Sequence, residues 1–110
     1  MGVVNTIDYI TMATTGNASD FGDLTTTYGV SQRSCTSIRG LMMGGSTRSY
    51  TNVIEYITIA TTGNSADFGD LTVARGWGTG TSGAVRGISA GGYTGSASNV
   101  IDYVTIITLV

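Results

Sequence analysis

The sequence predicts an all-β chain built from a 47-residue repeat, and three observations carry that reading. The stretch NTIDYITMATTGNASDFGDLT from Asn5 returns as NVIEYITIATTGNSADFGDLT from Asn52. NVIDYVTI then opens a third copy at Asn99, so the spacing is 47 residues both times, with no insertion. Ile and Val dominate the apolar residues, and β-branched side chains suit a pleated, half-buried surface. No segment places its apolar residues at the 3.6-residue helical period. Segments 5–51 and 52–98 share 23 of 47 aligned positions. The chain therefore reads as one repeat domain, 1–110, holding units 5–51 and 52–98 and a partial third unit 99–110.

Each unit reads in the same order. After its leading Asn comes a strand, Val53 to Ile59 in the second unit, with Ile54 and Tyr56 on one face and Val53, Ile57 and Ile59 on the other. A strand apolar on both faces is expected between two layers. TTGNSADFGD then reads as a loop, with Gly63 and Asn64 as turn formers. Leu71–Ala74 reads as a short strand, Gly76–Gly83 as a Gly/Ser/Thr connection, and Ala84–Ala90 as a further strand before Gly91-Gly92. About four short strands in a unit of this length is the size of a propeller blade.

Composition sets limits. The chain has no His and one Cys, which excludes Ser-His-Asp and Cys-His catalysis, His-ligated metals and an internal disulfide framework. A net charge of -2 with no Lys argues against a nucleic-acid partner. No apolar run of about 18 residues occurs, so no membrane-spanning helix is expected, and MGVVNTIDYI lacks the pattern of a secretory signal. No cofactor site is expected, and an enzyme is not.

The di-glycines Gly44-Gly45 and Gly91-Gly92, the N-V-I-E-Y strand with its tyrosine (Tyr9, Tyr56, Tyr103), the T-G-N turn and the ending Leu71 to Arg75 together resemble a Kelch-type β-propeller repeat. The resemblance covers nearly the whole chain. The Trp usual after that turn is replaced by Ala18 and Ser65 or their neighbours, and the first unit has Thr27-Tyr28 where the second has Ala74-Arg75. The units are also similar to repeats of tailed-phage and aquatic viral structural proteins. That similarity implies a non-enzymatic structural role in a virion, phage tail or extracellular fibre.

A closed propeller needs roughly four to eight blades, and about 2.3 units are present here. Repeat units expose apolar faces unless they are capped or stacked. The expected partner is therefore the chain itself, as a trimeric ring or a head-to-tail filament, unless these residues belong to a larger propeller. The C-terminal run is the expected interface: Val100, Ile101, Tyr103, Val104, Ile106, Ile107, Leu109 and Val110. It is β-prone, carries one charge and has no Pro, the signature of a strand that must be covered.

The remaining motifs are weighed against their structural uses. Gly78-Thr79-Gly80-Thr81-Ser82-Gly83 matches a dinucleotide fingerprint, but no helix follows it. Asp20, Asp23, Asp67 and Asp70 recur in an N-x-x-D-x-x-D pattern whose oxygens suit Ca²⁺; turn capping over Phe21 and Phe68 is the favoured use. Arg39 and Arg86 recur before Gly40 and Gly87, where pairing with Asp8, Glu55 or Asp102, or with the Asp-rich loops, is expected, a glycan or carboxylate contact once per blade being the functional alternative. Cys35 aligns with Ser82 and reads as a small buried residue. The loop aromatics Tyr50, Trp77 and Tyr93 are candidates for stacking on sugars. Surface glycans are thus the alternative partner, for a multivalent lectin-like module.

Overall fold

In the computed structural model, residues 3–46 and 48–106 are described. Among them the chain is all-β, with nine strands in three antiparallel sheets and no helix. The first sheet pairs β1 (Thr6–Tyr9) with β2 (Ser19–Asp23). The second runs in chain order through β3 (Gln32–Cys35), β4 (Arg39–Met43), β5 (Val53–Thr58) and β6 (Ala66–Asp70). The third holds β7 (Thr79–Ser82), β8 (Arg86–Ala90) and β9 (Ile101–Thr105).

The sheets are out of phase with the sequence repeat. Unit 5–51 supplies β1 to β4, yet β4 pairs with β5 of the next unit, Leu41 opposite Tyr56 and Met43 opposite Ile54. Each sheet thus starts with the last two strands of one unit and ends with the first two of the next. Among the described residues the middle sheet alone is complete by that rule; the first has just the last two strands of the pattern, and the third lacks the fourth.

Equivalent residues take equivalent places. The β1–β2 pair has an irregularity between Ile7 and Asp8, and the β5–β6 pair has the same one between Ile54 and Glu55. Tyr9 meets Phe21 edge-on at 5.8 Å between ring centres, and Tyr56 meets Phe68 at 5.9 Å. Tyr103 lies opposite Ile88 just as Tyr56 lies opposite Leu41.

Two local expectations are corrected. The segment read as a loop contains the last strand of the sheet, because Phe68 turns into the core at 2% exposure while its neighbours pair with β5. Leu71–Ala74 is not a strand; it carries the chain from one sheet to the next, with Leu71 buried. The Gly/Ser/Thr connection, in turn, contains β7. A β-carbon at Gly80 would overlap the Arg33 backbone, so the first strands of adjacent sheets come this close only where the side chain is absent. Ser82 reinforces the approach: Cys35 N–H donates to Ser82 Oγ at 3.2 Å, and that hydroxyl donates to Cys35 O at 2.6 Å.

The di-glycines mark another repeated necessity. Gly44 and Gly45 have φ of 65° and 107°, and Gly91 and Gly92 have 66° and 105°. Left-handed backbone at two successive positions suits glycine and little else. The core lies on one face of the middle sheet, where Leu41, Met43, Ile54, Phe68, Leu71 and Ile106 are buried together, with Tyr56 and Val104 packed against them. The strand with apolar residues on both faces is layered as expected at Ile54, but Ile59 at its end is 45% exposed.

Candidate functional site

The chemistry of this chain is concentrated at the joints between sheets. Glu55, on β5, is only 1% exposed. It accepts hydrogen bonds from the Thr25 N–H at 3.1 Å, the Thr25 hydroxyl, the Tyr28 hydroxyl at 2.5 Å and the Ser65 hydroxyl. Thr25 and Tyr28 follow β2, so this carboxylate ties the middle sheet to the first. Burial by itself would raise the Glu55 pKa, but the donors from Ser65, Thr25 and Tyr28 outweigh it and hold the carboxyl below its usual range. Burial and the bond to Glu55 push the Tyr28 phenol up to about 12.

The same joint recurs one unit later. Asp102, on β9, accepts from the Thr72 N–H at 2.9 Å and from the Thr72 hydroxyl at 2.7 Å, and pairs with Arg75 Nη1 at 3.0 Å. Arg75 is fully buried, and its Nη2 donates to Ser89 O at 2.9 Å and Ser89 Oγ at 3.1 Å. Burial opposes ionisation of Asp102, yet the Thr72 and Arg75 donors keep its pKa lowered. Asp8 is the third member of this series. It is exposed, and no side-chain hydrogen bond reaches it among the described residues.

A second joint runs along the outer edge. Gly63 N–H donates to Phe21 O at 2.8 Å and Ser65 N–H to Asp23 O at 2.9 Å. Asp23 N–H donates to Asn64 Oδ1 at 3.0 Å. The T-G-N turn of one unit therefore covers the edge of β2 in the previous sheet. The equivalent turn, Gly16-Asn17-Ala18, is exposed. The matching edge of β6 carries no such backbone bonds among the described residues.

The expected arginine pairing is replaced by a different one. Arg39 lies over the Tyr56 ring at 5.3 Å and Arg86 over Tyr103 at 4.6 Å, both cation–π contacts. Arg39 Nη1 also donates to Ile106 O at 2.7 Å. The arginine that pairs with Asp102 is Arg75, which lies at the unit ending rather than before a glycine. Its signal was present in the alignment of Arg75 with Tyr28, both able to donate to a carboxylate, but the acceptor 27 residues on was not evident.

The C-terminal run divides. Ile101 and Tyr103 are 70% and 61% exposed, whereas Val100 and Val104 are half-buried. Ile106 is fully buried in the core of its own chain, which removes it from the expected interface. Ile107, Leu109 and Val110 lie outside the described residues. Tyr50, Trp77 and Tyr93, distant in sequence, line one open hollow of about 430 Å³ together with Gly92. The Tyr50 and Tyr93 rings lie 6.1 Å apart. Trp77 is 69% exposed and has a φ of 65°; its counterpart Val30 has 52°, so the strained backbone belongs to the repeat and only the indole is particular to Trp77.

Asp20 and Asp23 lie on β2 and Asp67 and Asp70 on β6, all exposed. Among the described residues no three His, Cys, Asp or Glu side chains converge as a metal site would require. Cys35 is exposed rather than buried, because the neighbouring β7 bonds to its backbone and leaves the side chain outside. Thr79–Ser82 of the glycine motif is a strand followed by β8, not by a helix. No protein-family model matches the sequence, and no curated protein matches it.

Proposed function

We propose that this chain is a Kelch-like repeat whose sheets act as propeller blades, and that it is a non-enzymatic protein that assembles with copies of itself. The observation that carries the reading is the open edge of β9, which among the described residues pairs with β8 alone, whereas its equivalent β5 is paired on both edges. Unpaired strand edges seek partners, and a repeat array buries its terminal faces only against a neighbour. A trimeric ring and a head-to-tail filament both meet that need. A role in a virion, phage tail or extracellular fibre rests on the resemblance of the units to viral structural repeats.

Light scattering and electron microscopy of the purified chain test the proposal. Closed particles of about three chains, or threads, support it; a monomer at all concentrations refutes it. The aromatic hollow at Tyr50, Trp77 and Tyr93 favours a second reading, glycan binding, because sugar rings stack on exposed aromatic faces. Binding on a glycan array that is lost in Trp77→Ala would establish that function; an array with no binding would remove it.

A further inference from the structure

We propose that the edge of β9 that is open among the described residues accepts β2 of a second copy of this chain as the fourth strand of its sheet, and that the second copy's own β1 gives way. The inference rests on the self-assembly reading above and specifies its strand, register and side chains.

The chain carries its own template for the contact. In the middle sheet β5 pairs with β6 through Val53 with Asp70, Ile54 with Gly69, Glu55 with Asp67 and Tyr56 with Ala66. Strand β9 is the repeat equivalent of β5, and β2 of β6. Moving each strand by one repeat places Val100 opposite Asp23, Ile101 opposite Gly22, Asp102 opposite Asp20 and Tyr103 opposite Ser19 of the second copy. Asp102 would face Asp20 just as Glu55 faces Asp67 in the chain itself. That arrangement is tolerated because the inner carboxylate is turned to its threonine donors.

The side chains left over at the two ends are complementary. In the complete sheet Arg39 lies over Tyr56, and Tyr56 meets Phe68 edge-on. In the third sheet Arg86 lies over Tyr103, but no phenylalanine is present to meet that ring, which stays 61% exposed. In the first sheet Tyr9 meets Phe21, but β1 has no arginine-bearing strand beside it. Bringing β2 to β9 supplies Phe21 to Tyr103 and restores the set of three.

The same segment reaches a second free edge. The turn Gly16-Asn17-Ala18 leads directly into β2. With β2 beside β9, that turn falls on the edge of β6. There Gly16 N–H would donate to Phe68 O, Ala18 N–H to Asp70 O, and Asp70 N–H to Asn17 Oδ1. These repeat the bonds that Gly63, Ser65 and Asn64 make with β2 inside the chain.

Strands β1 and β9 would compete for β2, and the anchoring decides between them. Strand β9 pairs with β8 at five positions, holds Asp102 against Thr72 and Arg75, and leads into the buried Ile106. Among the described residues strand β1 has β2 as its one sheet neighbour, and its Asp8 lacks the donors that Glu55 and Asp102 have. A strand with one partner and an empty carboxylate joint is the one released.

The test uses the full chain with Cys35→Ser, which removes the sole thiol. Tyr103→Cys and Ser19→Cys are made in separate chains, mixed and oxidised. A mixed disulfide dimer, far more abundant than that from Tyr103→Cys mixed with Asp23→Cys, is the expected result. Ile7→Pro, which weakens β1, is expected to shift assembly to roughly tenfold lower concentration, since a competing state taxes apparent affinity. Assembly by light scattering without the 19–103 disulfide overturns the strand assignment and leaves self-assembly standing. A folded Ile7→Pro chain that no longer assembles also overturns it, because β1 is then the strand the contact needs. A monomer throughout refutes both proposals.

Discussion

The two carboxylate joints, at Glu55 and at Asp102, share a backbone and differ in chemistry. Both take an N–H and a hydroxyl from the threonine after the preceding strand pair, Thr25 or Thr72. They differ at the next donor, Tyr28 in the first joint and Arg75 in the second. The first joint is an ion amid neutral hydroxyls, with Ser65 as a further donor; the second is an ion pair whose guanidinium is itself fully buried. Both joints thus keep the acceptor and the threonine, while the third group need only donate. The cost of failure differs, because a buried cation cannot be left without its anion.

That difference orders the expected effects. Arg75→Ala should be the most damaging change, about 3 kcal/mol of unfolding free energy, because it strips Asp102 of its cation and empties a fully buried site. Urea unfolding measures it; a loss under about 1 kcal/mol would mean that the ion pair is not what holds the third sheet. Glu55→Gln should cost less, about 2 kcal/mol, since the amide keeps the shape but turns one acceptor into a donor facing hydroxyls. If the two substitutions cost the same, the contrast between the joints has no energetic content.

Acid should act on both joints in the same direction. Each carboxyl has a lowered pKa in the fold, so its stabilisation is present above the unfolded value and lost as pH falls through the folded one. Thermal melts should therefore hold steady near neutrality and drop below roughly pH 4, with a smaller drop in Glu55→Gln. Tyr28 titrates in the opposite sense: its phenol, raised to about 12, contributes stability that is lost as pH climbs from the ordinary phenol value of about 10 through the folded one. A melt that is flat down to pH 2 would contradict the carboxylate account.

Converting one joint into the other sharpens the comparison. Arg75→Tyr with Asp102→Glu should lose about 1 kcal/mol less than the sum of the two single substitutions, a coupling read from a double-mutant cycle. No coupling would mean that the two positions act independently. The smallest effect is expected at Trp77→Gly. The indole is exposed and the backbone left-handed, so stability should stay level or rise by up to about 1 kcal/mol; a clear loss would assign the indole a packing role.

Much of the architecture was legible because it is local. The 47-residue spacing, the β-branched strands and the paired glycines announce themselves within one unit, and Tyr9, Tyr56 and Tyr103 fall at matching places on matching strands. The strand β7 was hidden because glycine and threonine stand where neighbouring backbones crowd, and composition there resembles a connection. Strand β6 was hidden for a related reason: Asp and Gly are poor strand formers, and only the burial of Phe68 shows which way the segment faces.

Read alone, the sequence shows that the chain is a β repeat, which residues correspond between units, and that catalysis by His and His-ligated metals have no residue to draw on. The tertiary structure alone decided the phase of the sheets, which begin midway through each sequence unit. It also chose the donors: Tyr28 meets Glu55, and Arg75 meets Asp102 rather than the repeated Arg39 or Arg86. The physical reason is that a repeat fixes which residues are alike, not which of them touch. Contacts follow from strand pairing between units, set by backbone hydrogen bonds and by which side chains can be buried together, and neither can be read along a single stretch of chain.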